Sequence, residues 1–453
     1  MNHNARMLAT ALTAALGLAA LAAGCSKISP ITAPAVQSGS VDLSRYVALG
    51  TSLAAGEESD GVAERHQPFS YANQFARAIG NVPFDRYTVD QDGIDPGGTG
   101  PMLNLVSLNP LFISTLGHTM GTAGNQALAT DYHNLGVPSA VLFDVADSSG
   151  YYLPSPFYHS AHFQWVMRHR GRIIDAVARI QPTLITLEYG ANEILGPATN
   201  GTDNLGPFPV ATWSAILHGT LDALHAVAPA AQIVMINTPD PTDTPFCRTF
   251  SWITLDDAGA PTPLIGPSGP LAPGSLVLLT AGDSLAAGTG FPTNCHSYVT
   301  GVPGNGRPLP GNLILDPTEI GNLQTEVQGY NNAVSTEAAA RGWAVVDLHA
   351  AFKQTAANGV TVAGQHYNTA FVTGGIFSLD GVHPTDLGYG IIANTLIDVV
   401  DGKYGAAIPH VDLATCLTAS SYRMSPVTLG HMPYIRNAEE MYARMFPTSA
   451  RAH

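Results

Sequence analysis

Charged residues, and basic ones above all, are scarce in this chain. Only 12% of the 453 residues carry a charged side chain, and 19 Lys and Arg stand against 34 Asp and Glu, for a formal net charge of -15. A surface that binds nucleic acid needs clustered Lys and Arg, and the sequence has no such cluster, which excludes that function. Hydrophobic residues make up 45%, with 46 Gly and 33 Pro, a composition typical of a globular, loop-rich protein.

Long apolar runs are absent beyond the amino terminus, so no later segment is predicted to span a membrane. At the amino terminus, Arg6 precedes an apolar stretch at 7–20 that is too short for a mature transmembrane helix and has the form of a secretory signal. Leu-Ala-Ala-Gly-Cys at 21–25 then resembles the bacterial lipobox. The resemblance implies that Cys25 is lipidated and becomes the mature amino terminus. The alternative is an ordinary signal peptide with an incidental cysteine.

Cysteine is also rare, with four residues in the whole chain. Export permits disulfides, and with Cys25 lipidated three cysteines remain. Cys247 and Cys295 both lie in a Pro/Gly-rich middle segment, so we predict that they pair and that Cys416 stays free. No Cys/His spacing resembles a zinc site, and His159 and His162 lack further ligands at a suitable spacing, so no metal is expected.

The chain divides into several predicted parts. Residues 1–25 are the signal peptide and 26–42 a flexible tether, which together predict an exported protein anchored by lipid to the bacterial cell envelope, in the outer membrane if the cell is Gram-negative. Residues 43–405 form one domain, in which the Pro/Gly-rich stretch 240–316 is an insertion or cap. Residues 406–453 are a carboxyl-terminal extension, and the sequence assigns no role to it.

Apolar strands alternate with helical patterns along the domain. Five buried strands are predicted at Tyr46–Leu49, Tyr132–Val137, Thr183–Leu187, Gln232–Ile236 and Trp343–Leu348. Helices are predicted at Ser70–Ile79, Trp165–Ile180, Ala211–Val227, Pro317–Arg341 and Asp386–Val400. This alternation favours a parallel sheet covered by helices on both faces.

Polar residues follow two of these strands, and two more lie in the loop before the last predicted helix. Ser52 lies in a small-residue turn after the first strand, at the edge of the sheet where ligands bind in open α/β proteins. His383 and Asp380 share one loop, at an offset that lets a turn present both towards that edge, and Asn192 follows the third strand. Ester hydrolysis by serine needs a nucleophile, a base, a group that orients the base and oxyanion donors. Each residue also has a structural reading: a polar helix cap for Ser52, a turn that caps the last helix for Asp380 and His383, and an unusual turn conformation for Asn192.

Together these residues resemble the SGNH (GDSL-type) hydrolase family. Gly50–Leu53 looks like its first block, Asn134–Ala140 like its second, Gly190–Glu193 like its third and Asp380–Pro384 like its last, in the family's order. The resemblance covers 43–403 apart from the middle insertion. It implies a flavodoxin-like α/β/α sandwich with a five-stranded parallel sheet.

The resemblance also implies roles. Ser52 would be the nucleophile, His383 the base and Asp380 the group that orients His383. The oxyanion donors would be the backbone N–H of Ser52, the backbone N–H of Ser139 and the side chain of Asn192. No metal or organic cofactor is implied.

Three positions depart from the family's pattern. Thr51 stands where the family usually has Asp, which takes no part in the reaction, and Glu193 replaces the usual Asp after Asn192. Ser139 stands where the second block normally has Gly. Its N–H still donates, but a side chain there restricts the backbone.

A second stretch, Ala281–Gly288, matches the family's first block better, letter for letter. Its serine, Ser284, comes after Asn192, whereas the family's nucleophile comes first, and it is followed by Gly and Pro rather than a helix. We therefore assign the nucleophile to Ser52.

The resulting expectation is a serine esterase or lipase that cleaves carboxylic esters and is anchored to a membrane by lipid. The ester substrate is a lipid, another acyl ester or an acetylated glycan, so polysaccharide O-acetyl esterase is the alternative enzyme. A non-catalytic surface lipoprotein on the same fold, which binds glycans or acts in adhesion, is the alternative from another class. The oligomeric state stays open.

Overall fold

The computed structural model describes residues 36–80, 82–108, 111–147, 158, 160–419 and 432–446. The predicted signal peptide with Cys25, residues 26–35 of the predicted tether, and His159 lie outside the described residues.

A five-stranded parallel sheet forms the centre of the domain. Its strands are β1 (Tyr46–Gly50), β2 (Asn134–Gly136), β3 (Leu184–Glu188), β4 (Gln232–Ile236) and β5 (Ala344–Val346), in the spatial order β5-β4-β3-β1-β2. All five residues of β1 and all five of β3 are buried, as continuous apolar runs in a central parallel strand require. The predicted flavodoxin-like α/β sheet is confirmed.

Thirteen α-helices lie among the described residues. They are α1 (Ser52–Ala55), α2 (Tyr71–Ala78), α3 (His162–Met167), α4 (Ile173–Ile180), α5 (Ala191–Thr199), α6 (Val210–Val227), α7 (Pro245–Arg248), α8 (Gly282–Ala286), α9 (Pro317–Arg341), α10 (Leu348–Asn358), α11 (Asp386–Tyr404), α12 (Leu413–Ala419) and α13 (Ala438–Met445). Helix α2 packs against α11, and α6 packs against α4 and α9. Within the described chain, no helix is both long and apolar enough to cross a membrane.

Short elements fill the loops. The 3-10 helices are Gln67–Phe69, Leu142–Val145, Pro241–Asp243, Leu279–Ala281 and Gly311–Leu313. The antiparallel pairs are Thr88–Val89 with Ala123–Gly124, Asn104–Leu108 with Leu111–Ser114, Ile253–Leu255 with Pro261–Pro263, Ile265–Gly266 with Gly269–Pro270, Leu276–Val277 with Ile314–Leu315, and Val360–Val362 with Gln365–Tyr367.

The long helix α9 shows how local sequence sets an element's ends. The Asp316 side chain accepts hydrogen bonds from the backbone N–H groups of Thr318 and Glu319, at 2.7 and 2.9 Å. Pro317 occupies the first helical position, where its missing N–H costs nothing. Gly342 ends the helix with a left-handed φ of 71°.

The single helix predicted at Trp165–Ile180 is wrong. The chain forms α3 and α4 instead, separated by Arg168 and His169 with left-handed φ values of 50° and 56°. The Arg168 guanidinium donates to the carbonyl of Leu128 at 2.6 Å. This tertiary contact holds Arg168 out of the helix, and a pattern of apolar residues carries no sign of it.

The predicted disulfide is also wrong. Cys247 and Cys295 are free and buried, and so is Cys416, as predicted. Cys247 lies in α7, while Cys295 pairs through its backbone with Asp256. A shared segment does not bring two Cβ atoms to the roughly 3.8 Å separation that a disulfide needs.

The stretch predicted as an insertion packs into the main core. Buried side chains along it, including Phe246, Leu279 and Leu285, join the hydrophobic cluster that contains the sheet residues Leu49 and Ile185. Helix α13, in the carboxyl-terminal extension, contributes Met441, Tyr442 and Met445 to the same cluster.

Candidate active site

Strand β1 carries Ser52 to the carboxyl edge of the sheet. The strand pairs with both β2 and β3, so it stands where the order of strands reverses, and a crevice opens at that point in α/β sheets. The turn from β1 into α1 is tight. A Cβ on Gly50 would lie 2.8 Å from Oε2 of Glu188 and 2.9 Å from Cβ of Ala54, so only glycine fits there.

Glu188, the last residue of β3, holds this turn. Thr51 donates to it twice, from its backbone N–H to Oε2 at 2.9 Å and from Oγ1 to Oε1 at 3.0 Å. Burial raises the pKa of Glu188 to about 8, although these hydrogen bonds oppose the rise. Thr51 therefore binds a buried carboxyl group, at the position where the resembling family usually has Asp.

Ser52, His383 and Asp380 form a hydrogen-bonded chain. Nε2 of His383 lies 2.9 Å from Oγ of Ser52, and Nδ1 lies 2.9 Å from Oδ2 of Asp380. The three residues are 5%, 2% and 0% exposed, so bulk water does not separate them. When the imidazole hydrogen is on Nδ1, Nε2 is free to accept the proton of the Ser52 hydroxyl.

Asp380 is fully committed to this geometry. Its Oδ1 accepts from the backbone N–H groups of Val382 and His383, each at 2.8 Å, and its Oδ2 also accepts from the N–H of Asp60 at 2.8 Å. Burial alone would raise the pKa of Asp380, but His383 and these hydrogen bonds hold it below its usual value. The cap of α11 is Thr385, which accepts from the N–H of Gly388, so Asp380 does not cap that helix.

A second carboxyl group, Glu57, faces the same histidine. Its Oε1 lies 3.7 Å from Nδ1 of His383 and is buried without a hydrogen-bond partner among the described residues. Burial raises the pKa of Glu57 to about 7. Burial also works against the charged form of His383, but the charges of Glu57 and Asp380 outweigh it and raise the pKa of His383 to about 9.

The two remaining predicted donors lie beside each other. The Asn192 side chain donates from Nδ2 to the carbonyl of Ala140 at 2.8 Å, directly after Ser139 in the chain. This bond uses one of the two Nδ2 hydrogens and leaves the other. Among the described residues, none accepts a hydrogen bond from the backbone N–H of Ser139. Ser139 has a left-handed φ of 62°, the conformation that glycine adopts without cost.

Gly190 and Glu193 explain how Asn192 is placed. Gly190 has φ 109°, and a Cβ there would lie 2.5 Å from Oγ1 of Thr238. Glu193 accepts at Oε1 from the backbone N–H of Leu142 at 2.8 Å and from Nε1 of Trp213 at 3.0 Å. The longer side chain at 193, where the family usually has Asp, therefore bridges α5 to its neighbours.

Ser284 has no such surroundings. It lies in α8, within the stretch predicted as an insertion, and among the residues that the structure describes no histidine or carboxylate is hydrogen-bonded to its hydroxyl. The neighbouring Asp283 accepts at Oδ2 from the backbone N–H of Asn437 at 2.6 Å. The stretch Ala281–Gly288, which matches the family's first block more closely, therefore makes a structural contact with the carboxyl-terminal extension.

One group of three possible metal ligands occurs in the described part of the chain. Nδ1 of His66 lies 3.2 Å from Oε2 of Glu58 and 3.1 Å from Oδ2 of Asp386, all fully buried. Arg65 donates from Nε to Nε2 of His66 at 3.1 Å, which places the imidazole hydrogen on Nδ1, between the carboxyl groups. Burial raises the pKa of Glu58 and of Asp386 to about 8. His162, considered earlier for metal binding, is hydrogen-bonded to the hydroxyl of Tyr87 and the carbonyl of Asp95.

An apolar pocket opens beside the triad. Leu53, which follows Ser52, and Val382 and Pro384, on either side of His383, form one part of its wall. Phe352 and Ile392 line the rest, together with other side chains of α10 and α11. Its volume is about 90 Å³.

Sequence reasoning missed Glu57, Glu188 and this pocket. Glu57 and Glu188 each lie within six residues of a predicted site residue, but acidic residues at such positions usually face solvent. Only the packing buries them and turns them towards His383 and Thr51.

The family model described as GDSL-like Lipase/Acylhydrolase matches residues 46–396. No curated protein matches the chain. The chain is similar to a solved GDSL-like lipase, described as putative, from Parabacteroides merdae, at 11% identity and a TM-score of 0.35, over 80% of this chain and 99% of that one. It is similar to an extracellular lipase from Streptomyces rimosus at 15% identity and a TM-score of 0.34, over 78% and 98%. It is similar to phospholipase A1 from Streptomyces albidoflavus at 14% identity and a TM-score of 0.31, over 79% and 98%.

Proposed function

This chain belongs to the GDSL-like lipase/acylhydrolase family and is a carboxylic ester hydrolase, and we propose that it works through an acyl-enzyme formed on Ser52. The observation that carries the proposal is the hydrogen-bonded chain from Ser52 through His383 to Asp380, with both distances at 2.9 Å. Family membership favours this reading over a non-catalytic surface lipoprotein.

In the first half of the reaction, Oγ of Ser52 attacks the carbonyl carbon of the ester while Nε2 of His383 takes its proton. The carbonyl oxygen becomes an oxyanion. When the carbon–oxygen bond to the alcohol breaks, His383 returns the proton to the leaving alkoxide, which departs as the alcohol. In the second half, His383 deprotonates a water molecule, which attacks the acyl-enzyme. The bond from the acyl carbon to Oγ then breaks, His383 returns the proton to Oγ of Ser52, and the carboxylic acid leaves.

Asp380 stabilises the imidazolium that forms twice in this cycle. It accepts four hydrogen bonds, and its backbone partners hold it beside Nδ1. The charge of His383 and these hydrogen bonds lower its pKa and so favour the carboxylate. Because the orientation of His383 is set before substrate arrives, little reorganisation remains for the transition state.

The oxyanion would receive hydrogen bonds from the backbone N–H groups of Ser52 and Ser139 and from Nδ2 of Asn192. The bond from Asn192 to the Ala140 carbonyl supports this arrangement, because it holds the amide against the loop that carries Ser139. Loss of one such donor typically lowers turnover by about 10²–10³-fold.

The substrate that we propose is an ester with an aliphatic acyl chain. The pocket beside Leu53, Val382 and Pro384 supports it, because its wall is almost wholly apolar and begins at the residues that flank Ser52 and His383. An acetyl group needs no such space, so the pocket favours an acyl-ester or lipid substrate over an acetylated glycan. We therefore expect esters with a longer aliphatic acyl chain to be hydrolysed in preference to acetyl esters.

We further propose that the protein is exported and anchored by lipid through Cys25. The lipobox-like Leu-Ala-Ala-Gly-Cys at 21–25 supports this. Cells that express the chain and are fed radiolabelled palmitate should yield a labelled protein in the membrane fraction. The Cys25→Ser variant should be unlabelled and found outside that fraction. Equal labelling of both would contradict the proposal.

The catalytic proposal is tested with a series of p-nitrophenyl esters from acetate to palmitate, assayed on wild type and Ser52→Ala. We expect kcat to fall to background in the variant with every ester, while Ser284→Ala, its matched control, keeps wild-type rates. Loss of activity in Ser284→Ala with activity retained in Ser52→Ala would reverse the assignment. An optimum at acetate would favour the O-acetyl esterase instead.

A further inference from the structure

Helix α13 reaches the active site from the far end of the chain. It is fastened at its start, where the backbone N–H of Asn437 donates to Asp283 at 2.6 Å. Its inner face is buried: Met441 and Met445 are each 2% exposed and Tyr442 is 5% exposed. The helix is therefore an integral wall of the domain.

Three groups of this helix touch the loops that carry the site. The Tyr442 hydroxyl donates to the backbone carbonyl of Asp380. Nη2 of Arg444 lies 4.0 Å from Oδ2 of Asp60, whose backbone N–H donates to Asp380, and Nη1 lies 3.5 Å from Oδ2 of Asp95. The Ser139 hydroxyl donates to the backbone carbonyl of Met445.

The contact at Ser139 concerns the proposed oxyanion hole directly. Ser139 has φ 62°, so its Cβ makes this backbone conformation less favourable than it is for glycine. Its N–H has no acceptor among the described residues, as a donor reserved for substrate requires. The side chain is 3% exposed, and its hydroxyl bonds to a helix that lies about 300 residues away in sequence.

We propose that the Ser139 hydroxyl, through its hydrogen bond to the Met445 carbonyl, holds the oxyanion-hole loop in its left-handed conformation. Ser139 is thus a positioning residue through its side chain, apart from the role proposed for its N–H. Glycine would adopt the left-handed conformation at this position without steric cost. With serine, the hydrogen bond to the carboxyl-terminal helix offsets the steric cost of Cβ. The proposal rests on the function proposed above, because it assumes that the Ser139 N–H faces the oxyanion.

Two substitutions separate the hydroxyl from the backbone. Ser139→Ala removes the hydrogen bond but keeps Cβ, whereas Ser139→Gly removes both. We expect kcat for a medium-chain ester to fall about tenfold in Ser139→Ala, the weight of one ordinary hydrogen bond, with KM unchanged. Ser139→Gly should recover most of this loss, because glycine adopts the left-handed conformation at no steric cost.

Ser297→Ala is the matched control. Ser297 is also buried, at 2% exposure, and its hydroxyl also donates to a backbone carbonyl, that of Leu285 at 2.7 Å. The partners of its hydroxyl are Leu285, Val299 and Thr300, none of which belongs to the proposed site, so its loss should leave kcat and KM at wild-type values. A fall in kcat in Ser139→Ala but not in Ser297→Ala would show that the effect is specific to position 139. It would not then be a general consequence of losing a hydrogen bond from a buried serine.

Hydrogen exchange gives a readout that does not depend on turnover. The amides of 137–141 should exchange faster in Ser139→Ala than in wild type, while Ser297→Ala leaves them unchanged. Wild-type exchange together with wild-type kcat in Ser139→Ala would overturn the proposal. Should Ser52→Ala retain activity, the acyl-enzyme mechanism fails, yet the exchange of 137–141 still decides whether the hydroxyl holds the loop.

Discussion

Oε1 of Glu57 lies 3.7 Å from Nδ1 of His383, the same nitrogen that is bonded to Asp380. The proposed base is therefore held between two buried carboxyl groups. One of them, Asp380, is saturated with hydrogen bonds, and Oε1 of the other has no partner among the described residues. This difference makes Glu57 the group whose charge can change without loss of the triad's geometry.

The pH profile should report this arrangement. His383 acts as a base only when neutral, and its pKa is raised to about 9, so kcat/KM should rise with pH into the alkaline range. Glu57→Gln removes a negative charge that stabilises the imidazolium and should therefore move the acid limb of the profile to lower pH, by about one unit or more. Steady-state assays between pH 5 and 10 measure this, with the exposed Glu64→Gln as control. An unmoved acid limb in Glu57→Gln would show that the 3.7 Å contact carries no electrostatic weight.

Stability should fall as pH rises. Glu188 has an ordinary pKa of 4.5 and a folded-state pKa of about 8, so between these values the native state holds a proton that the unfolded chain releases. Its stabilising effect is complete below about 4.5 and is lost as pH rises through 8. Such a group contributes about 1.4 kcal/mol to the slope of the unfolding free energy per pH unit. Urea unfolding at pH 5, 6 and 7 gives the unfolding free energy at each pH. In Glu188→Gln this free energy should fall less steeply with pH than in wild type, by about that amount per pH unit. An equal dependence on pH in both proteins would exclude a protonated Glu188.

The apolar pocket should set the chain-length preference. Ala351 lines the pocket from α10, so Ala351→Trp fills it and should lower kcat/KM for an octanoyl ester about tenfold or more while the acetyl ester is unaffected. Ala350→Trp, the neighbouring exposed position, is the control and should match wild type on both esters. Equal loss on the acetyl and octanoyl esters would place the acyl chain elsewhere.

The three described cysteines should all be reduced thiols that react only after unfolding. In protein that lacks residues 1–25, alkylation without a reducing agent should add no group to the folded protein, because Cys247, Cys295 and Cys416 are buried. The same treatment in denaturant should add three groups. Mass spectrometry counts the added groups. Only one added group would support the disulfide between Cys247 and Cys295 that the sequence predicted.

Local sequence predicts the strands best. Continuous apolar runs such as Tyr46–Leu49 and Gln232–Ile236 lie where expected, since a buried parallel strand must be apolar on both faces. The helix predicted at 165–180 fails for the opposite reason. Its apolar spacing is correct in both halves, but the contact from Arg168 to the Leu128 carbonyl, formed across 40 residues, breaks the helix between them.

The sequence by itself determined the order of the motifs, the choice of Ser52 over Ser284 and the proximity of Asp380 to His383, because short spacing and strand ends leave few alternatives. The tertiary structure alone decided which polar groups are buried and what they face. Three contacts between distant segments show this: Glu57 with His383, Glu188 with Thr51, and Met445 with Ser139. Ser52 is thus placed by its own strand, whereas the groups that tune and align its surroundings come from packing.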